Sequence, residues 1–126
     1  PDLSEPVGLN RVFKTAWFAK EARKAKIGDG ELCRAINQVM QGQADNLGGG
    51  VYKKRLNDNM HRSIILAKAG QQWIYAFLYA KKDRENIAPD ELAAFKMLAK
   101  DYGEAGEARI ATLLTEEELL EICHDN

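Results

Sequence analysis

The chain has 126 residues, of which 45% are hydrophobic and 29% charged, and its formal net charge is -1. This composition is ordinary for a soluble globular protein, and the length is sufficient for one domain with a real core. No apolar run approaches the roughly 20 residues that cross a bilayer, and the first residues lack the basic start and apolar core of a secretory signal. We therefore expect a single cytoplasmic domain over residues 1–126, without a membrane partner.

The two cysteines, Cys33 and Cys123, lie far apart in the sequence. Neither belongs to a CxxC motif or to a series of cysteines and histidines with metal-ligand spacing. The simplest interpretation is two reduced thiols in a cytoplasmic protein, with a disulfide or a metal site as the less favoured alternative.

The first elements in chain order are a short strand over residues 12–15 and a helix that follows it directly. Gly28 and Gly30 interrupt the helical pattern, and Asp29 is suited to cap a second helix that ends near Gly42. Two antiparallel helices joined by a short glycine turn are predicted.

The hydrophobic period then changes, and residues 51–56, 62–68 and 72–82 read as three strands rich in β-branched and aromatic residues. In the third strand, strict alternation predicts that the aromatic residues share one face, namely Trp73, Tyr75, Phe77 and Tyr79. The opposite face is also apolar, which is typical of a strand in the middle of a sheet. The aromatic row is therefore interpreted as core, with base stacking as the alternative.

A further helix is predicted to begin near Pro89 and to stop at Gly103. The Thr115-x-x-Glu118 pattern predicts a final short helix. The fold class is therefore α/β (α+β), with a largely antiparallel sheet and the order β-α-α-β-β-β-α-α. A core of about residues 12–102 precedes an acidic helical extension over residues 103–126.

Charge is divided unevenly along the chain. Residues 11–84 hold 15 Lys and Arg against 6 Asp and Glu, whereas residues 85–126 hold 3 against 11. A basic body indicates a polyanionic partner. The acidic end is either a solvated helix that caps the sheet or a segment that competes with the partner for the basic surface.

The positive charge is concentrated in the predicted strands. Alternation places Lys53 and Arg55 on one face of their strand and Lys54 on the other, and Arg62 begins the next strand beside them. Three more cations follow the last strand, namely Lys81, Lys82 and Arg84. Such a cluster suits a phosphodiester backbone, because Arg grips oxygens bidentately and Lys adds a point charge. The preceding glycines lead into a strand rather than a helix, so they predict a tight or flexible turn and no nucleotide-binding loop.

The order of elements and three short motifs resemble the RelE superfamily of bacterial toxins. The motifs are "LGGGVYKKRL", the Arg-led strand "RSIIL", and "YAKKDRENIAPDEL". The similarity is closest to the RelE/HigB-like branch and covers residues 12–102. It implies a RelE-like fold and a type II toxin that cuts messenger RNA in the ribosomal A site. The implied partners are the ribosome, mRNA and a cognate antitoxin with a helix-turn-helix DNA-binding domain.

The resemblance also implies the chemistry. The family uses no metal or other cofactor, because the RNA 2′-hydroxyl attacks its own adjacent phosphate while cationic side chains assist. The catalytic positions correspond to Lys53, Arg55, Arg62 and Lys82. Lys53 is the expected proton-transfer residue, since a lysine crowded by cations loses its proton more readily, and the other three would hold and neutralise phosphate. The RNA-binding candidates are Lys54, His61, Tyr79, Lys81 and Arg84.

One departure concerns the segment after the last basic cluster, where many members carry a tyrosine on which an RNA base stacks. This chain has Asn86, Ile87 and Ala88 there, and His61 and Tyr79 are the possible replacements. The alternative function is a non-enzymatic one, either gyrase inhibition as in the ParE toxins of the same fold or nucleic-acid or protein binding without activity. His61 itself is either an exposed loop histidine or a proton donor.

Overall fold

The computed structural model describes residues 10–68 and 72–124. Its strands are β1 (Arg11–Thr15), β2 (Asp45–Gly48), β3 (Val51–Leu56), β4 (His61–Lys68), β5 (Gln72–Ala80) and β6 (Leu119–Ile122). Its helices are α1 (Ala16–Lys24), α2 (Asp29–Met40), α3 (Pro89–Glu104) and α4 (Glu107–Thr115). The predicted α+β class is confirmed, and the predicted strand at residues 51–56 has the same bounds in the structure.

The strands form one mixed sheet in the order β2-β3-β4-β5-β1-β6. The β1–β5 pair is parallel, whereas the other neighbours are antiparallel. The sheet is therefore largely antiparallel, as predicted. The parallel pair is possible because two helices and three strands connect β1 to β5.

Helices cover both faces of the sheet. One buried cluster joins apolar residues of α1 and α2 to β5, and the Tyr75 hydroxyl donates a 2.7 Å hydrogen bond to the Leu32 carbonyl of α2. A second cluster joins α3 and α4 to the opposite face, with Ile64, Leu66 and Ile74 fully buried. Two apolar faces on β4 and β5 thus reflect two helical layers, as the sequence pattern indicated.

The predicted row of four aromatic residues on β5 is wrong, because the strand contains a bulge. The pairing of β4 with β5 shifts between Ile64 and Ile65, so that Ile64 pairs with Phe77 while Ile65 pairs with Tyr75. The extra residue, Ala76, reverses the alternation beyond it. Tyr75 consequently faces α1 and α2 with Trp73, whereas Phe77 and Tyr79 face α3. This reversal brings two aromatic rings to the face that carries Lys53 and Arg55.

The three consecutive glycines form a tight turn between β2 and β3. Gly48, Gly49 and Gly50 have φ values of 90°, 61° and 83°, in the left-handed region that favours glycine. A Cβ on Gly49 would lie 2.8 Å from the Lys96 side chain of α3. The turn therefore needs glycine for conformation and for space, which agrees with the predicted tight turn. The short strand β2 was not predicted, since the sequence "DNLG" has little β propensity.

The C-terminal prediction is wrong in its last element. The segment around Thr115 ends helix α4 instead of beginning a helix, and Glu117 there has a φ of 62°. Residues 119–122 form β6, which pairs antiparallel with β1 and lies at the sheet edge away from β3. The local capping pattern was overridden because strand pairing with β1 buries Leu119 and Ile122.

The expectation of two reduced cysteines is also wrong. Cys33 on α2 and Cys123, just after β6, form a disulfide with a Cα–Cα distance of 5.6 Å. The sequence separation of 90 residues gave no local signal for this pair. Only the packing of α2 on the sheet, together with the pairing of β6 at the sheet edge, brings the two sulfurs together.

Candidate nucleic-acid interface

Strand β3 presents its cations on opposite faces. Arg55 is exposed, and its neighbour Lys54 turns the other way, where its Nζ donates a 2.9 Å hydrogen bond to the Gln43 carbonyl. Partial burial, and secondarily the charge of Arg55, lower the pKa of Lys54. Lys54 is thus anchored at the sheet edge, away from the face of Arg55.

A row of three side chains crosses the sheet at the end of these strands. Arg55 of β3 lies directly opposite Arg62 of β4, and Arg62 lies opposite Tyr79 of β5. Like charges directly opposite each other on a sheet are destabilising. The two opposed arginines therefore lower the stability of the sheet. Such a destabilising arrangement is expected where a surface binds an anion.

Arg62 is largely buried, with 9% of its surface exposed. Its Nη1 donates hydrogen bonds to the carbonyls of Asn59 and His61, at 3.0 and 3.2 Å. Asn57, Asp58 and Asn59 in this turn all have positive φ values, which Asn and Asp tolerate better than other non-glycine residues. Arg62 therefore fixes the β3–β4 turn as well as placing positive charge beneath Arg55.

Lys53 lies two residues before Arg55 on the same face, and its side chain is 17% exposed. Its Nζ donates a 2.7 Å hydrogen bond to Asn86 Oδ1 and lies 3.8 Å from an Asp45 carboxylate oxygen. Asn86, in the segment where a tyrosine was noted as missing, thus holds the predicted proton-transfer residue in place. The sequence predicted cations around Lys53. In the structure, the amide oxygen of Asn86 and the carboxylate of Asp45 also lie near its amino group.

Arg84 covers Tyr79 and is itself held by α3. Its guanidinium lies 5.4 Å from the centre of the Tyr79 ring and forms a bidentate pair with Glu91, with Nη1 3.1 Å from Oε2. Glu91 also accepts a hydrogen bond from the Ala88 backbone at the start of the helix. Burial raises the pKa of Tyr79, while the charges of Arg62 and Arg84 oppose that rise. With 7% exposure, the Tyr79 ring does not present a face for stacking.

The remaining predicted residues lie on the α1 side of the strand ends. His61, Lys81 and Lys82 line a cavity of about 670 Å³ together with Lys24 and Met60. The His61 Nδ1 lies 3.1 Å from the Asn57 side-chain nitrogen. The structure thus separates the predicted set into two groups and one residue, Lys54, that belongs to neither. Lys53, Arg55, Arg62, Tyr79 and Arg84 share one face, whereas His61, Lys81 and Lys82 lie around the strand ends, and Lys54 lies on the opposite face of β3.

Sequence reasoning missed three side chains of this region. Asn86 and Glu91 were not identified as the residues that hold Lys53 and Arg84, because the contacts span 33 and 7 residues of chain. Helical spacing places Trp17 on the apolar side of the first helix with Phe18 and Ala22, but Trp17 is 45% exposed and stacks on Phe77. In the sequence, Trp17 stands between Lys14 and Lys20 near the start of the helix, and these lysines indicate that the ring lies near the surface.

No group of three or more His, Cys, Asp or Glu side chains within residues 10–68 and 72–124 is arranged to hold a metal ion. Among the helices of the described chain, none combines the length and the apolar character that a membrane span requires.

The chain matches the family model of the RelE toxin of the RelE / RelB toxin-antitoxin system over residues 10–122. Comparison with curated proteins and with solved structures gave no match. The matched residues begin one residue before β1 and end at the last residue of β6, so they include every strand and helix described above. The chain therefore belongs to the RelE toxin family of toxin-antitoxin systems.

Proposed function

We propose that this chain is a ribosome-dependent endoribonuclease that cuts messenger RNA, inhibits translation, and is neutralised by a cognate antitoxin. The observation that carries the proposal is the cross-strand row of Arg55, Arg62 and Tyr79 with Lys53 beside it. Family membership supports the toxin role, and the row supplies the charge that cleavage of a phosphodiester requires.

In the proposed reaction the RNA 2′-hydroxyl gives its proton to Lys53 and attacks the adjacent phosphorus. The bond from that phosphorus to the 5′-oxygen of the next nucleotide breaks, and this oxygen takes up a proton from water. Arg55 is the exposed guanidinium of the row, and it grips the nonbridging oxygens as negative charge develops on them. Arg62 adds a fixed positive charge below and holds the turn. Lys53 transfers the proton of the attacking hydroxyl, and Asn86 orients its Nζ. Lys82 and Lys81 contact phosphates further along the strand.

The antitoxin is proposed to be an acidic or helix-turn-helix-containing protein that covers the same cations. Arg84 is already paired with Glu91, so the exposed Arg55 is the side chain on this face with the most to gain from an added carboxylate. A protein that neutralises Arg55 blocks the phosphate site without altering the fold.

The test is controlled expression of the chain in bacteria, followed by primer extension on induced messages. We expect growth arrest and discrete cuts inside translated reading frames, with purified RNA left intact unless ribosomes are added. Lys53→Ala should abolish the cuts, whereas Lys54→Ala, a matched change on the opposite face, should leave most of the activity. Growth arrest with intact messages and inhibited gyrase would instead establish the ParE-like alternative.

A further inference from the structure

The exposed ring of Trp17 has no role in the site described so far. Its plane lies at 16° to that of Phe77, with ring centres 5.1 Å apart. Phe77 covers one side of the indole, yet 45% of the residue remains exposed. By contrast, Trp73 is 6% exposed in the core. A large aromatic surface held flat at the surface by a second ring is costly to expose to water, and it is the arrangement on which nucleic-acid bases stack.

The position of Trp17 follows from the topology. Strand β1 ends at Thr15, and its pairing with β5 reaches only as far as Tyr75. In the described part of the chain, β5 beyond that point pairs with β4 alone. Helix α1 begins directly after β1, and Trp17 in its first turn packs on Phe77 beside the unpaired side of β5. The Thr15 side chain caps α1 by accepting a 3.0 Å hydrogen bond from the Phe18 backbone N–H, so the turn that carries the indole is fixed.

The aromatic surface is continuous with the cationic row. Phe77 lies 5.9 Å from Tyr79, and Tyr79 lies opposite Arg62 and beneath Arg84. Trp17 and Phe77 also line a cleft of about 410 Å³ that Arg84 and His61 border, a volume within the range of small-molecule sites. A polynucleotide whose phosphate contacts the exposed Arg55 thus has a ring surface for another of its bases along the same face.

The charge of the cleft indicates which part of a nucleotide it would take. Its rim carries Lys24 and Arg84 against Glu21 and Asp83, and Lys24 is 3.5 Å from a Glu21 oxygen. This balance gives no net attraction for a phosphate. The cleft therefore suits an uncharged, flat base, while the phosphates are attracted by the arginine row and by the neighbouring Lys81 and Lys82.

We propose that Trp17, supported by Phe77, stacks a base of the single-stranded RNA whose backbone is held at the arginine row. This inference rests on the proposed function for the identity of the RNA, but the stacking site itself is a binding property that can be measured without cleavage. Base–aromatic stacking tolerates any base, so the site contributes affinity and register more than sequence preference.

The test uses a seven-nucleotide RNA with 2′-O-methyl groups, which cannot be cleaved because the attacking hydroxyl is blocked. Binding is followed by anisotropy of a 5′ fluorophore at low salt, and by quenching of tryptophan emission. We expect quenching in the wild type that is absent from Trp17→Tyr, since the buried Trp73 is shielded. Trp17→Leu, which still covers Phe77, should weaken binding about 5- to 150-fold, whereas Trp17→Tyr should retain most of the affinity.

Met97→Ala is the matched control, because Met97 is an exposed apolar residue at 70% on α3, and its loss should not change binding. Trp17→Leu that binds within twofold of the wild type, or a wild type that does not bind the oligonucleotide, would overturn the stacking site. Binding with the expected quenching, but without ribosome-dependent cuts in cells, would leave the stacking site standing and overturn only the proposed function.

Discussion

Arg11 on β1 and Arg55 on β3 belong to the same sheet, but they lie in register with opposite ends of β5 and meet opposite neighbours. Arg11 donates two hydrogen bonds to the Glu121 carboxylate of β6, at 2.8 and 2.9 Å, and lies 3.2 Å from Glu107 of α4. Arg55 is exposed and pairs in register with another arginine, Arg62. Between the two lie β4 and β5.

Under the proposed function, this difference distinguishes a structural arginine, Arg11, from an arginine that binds a partner, Arg55. At the β1–β6 edge, the acidic C-terminal segment neutralises the cation that it meets, and buried side chains of β6 and a disulfide hold that edge together. At the end of β3 and β4, Arg55 and Arg62 lie opposite each other, and the repulsion between their like charges lowers the stability of the sheet. The acidic residues of α4 and β6 thus lie at the sheet edge away from β3, whereas Glu91 of α3 pairs with Arg84 beside the cationic row.

The largest expected effect is that of truncating the chain after Gly106. The removed segment buries four large apolar residues at 1–5% exposure, namely Ile110, Leu113, Leu119 and Ile122. Each contributes about 1.5–3 kcal/mol, and their sum is comparable to the whole stability of a small domain, about 5–15 kcal/mol. We expect the shortened chain to lose its cooperative thermal transition by circular dichroism. A truncated chain that melts cooperatively and binds RNA more tightly would show that the segment is an autoinhibitor instead.

Exchanging the two arginines for alanine tests the comparison directly. Arg55→Ala should lower the rate of ribosome-dependent cleavage about 10²–10³-fold, as for loss of one charge contact in a transition state. Its free energy of unfolding should change by less than about 0.5 kcal/mol, since the side chain is exposed.

Arg11→Ala should show the reverse pattern. It removes charge-assisted hydrogen bonds to a carboxylate whose side chain is 25% exposed, so we expect a loss of about 1–2 kcal/mol in urea unfolding. Cleavage per folded molecule should remain within a few-fold of the wild type. If Arg11→Ala were as inactive as Arg55→Ala without unfolding, the division into structural and functional arginines would be wrong.

The Arg11–Glu121 pair should also give a pH signature. The hydrogen bond from Arg11 lowers the pKa of Glu121 below its ordinary value of 4.5, against the opposing effect of partial burial. Because the folded-state pKa is lower than the unfolded one, this stabilisation is present above pH 4.5 and is lost as the pH falls through the folded-state value.

Glu121→Gln should therefore be less stable than the wild type at pH 7, by about 1 kcal/mol, and the difference should shrink towards pH 3. Urea unfolding of both proteins at the two pH values measures this. A difference that is independent of pH would mean that the carboxylate acts through packing and not through its charge.

The smallest expected effect is an increase in the stability of the fold. Arg55→Thr removes one of two arginines that face each other and introduces a residue with good β propensity, so we expect a stabilisation of about 0.2–1 kcal/mol. Lys54→Thr on the same strand is the control, since it relieves no like-charge pair in the sheet and loses the bond to Gln43. The midpoints of thermal unfolding of both variants are compared with that of the wild type. A destabilised Arg55→Thr would show that the guanidinium of Arg55 stabilises the fold.

The sequence by itself determined the fold class, the two N-terminal helices and, to within two residues, the strands predicted at residues 51–56, 62–68 and 72–82, because hydrophobic period and glycine breaks are local signals. It also placed Lys53 and Arg55 together on one face of β3 and Lys54 on the other, since alternation over six residues needs no tertiary information.

Only the tertiary structure decided the features that depend on contacts between distant segments. The bulge at Ala76 moved Phe77 and Tyr79 to the cationic face, because pairing with β4 sets the register of β5. Pairing with β1 made a strand of residues 119–122 and brought Cys123 to Cys33 across 90 residues of chain. The early end of β1 left Phe77 to be covered by Trp17. Each outcome is fixed by a partner strand or helix, and a local pattern of residues contains no information about that partner.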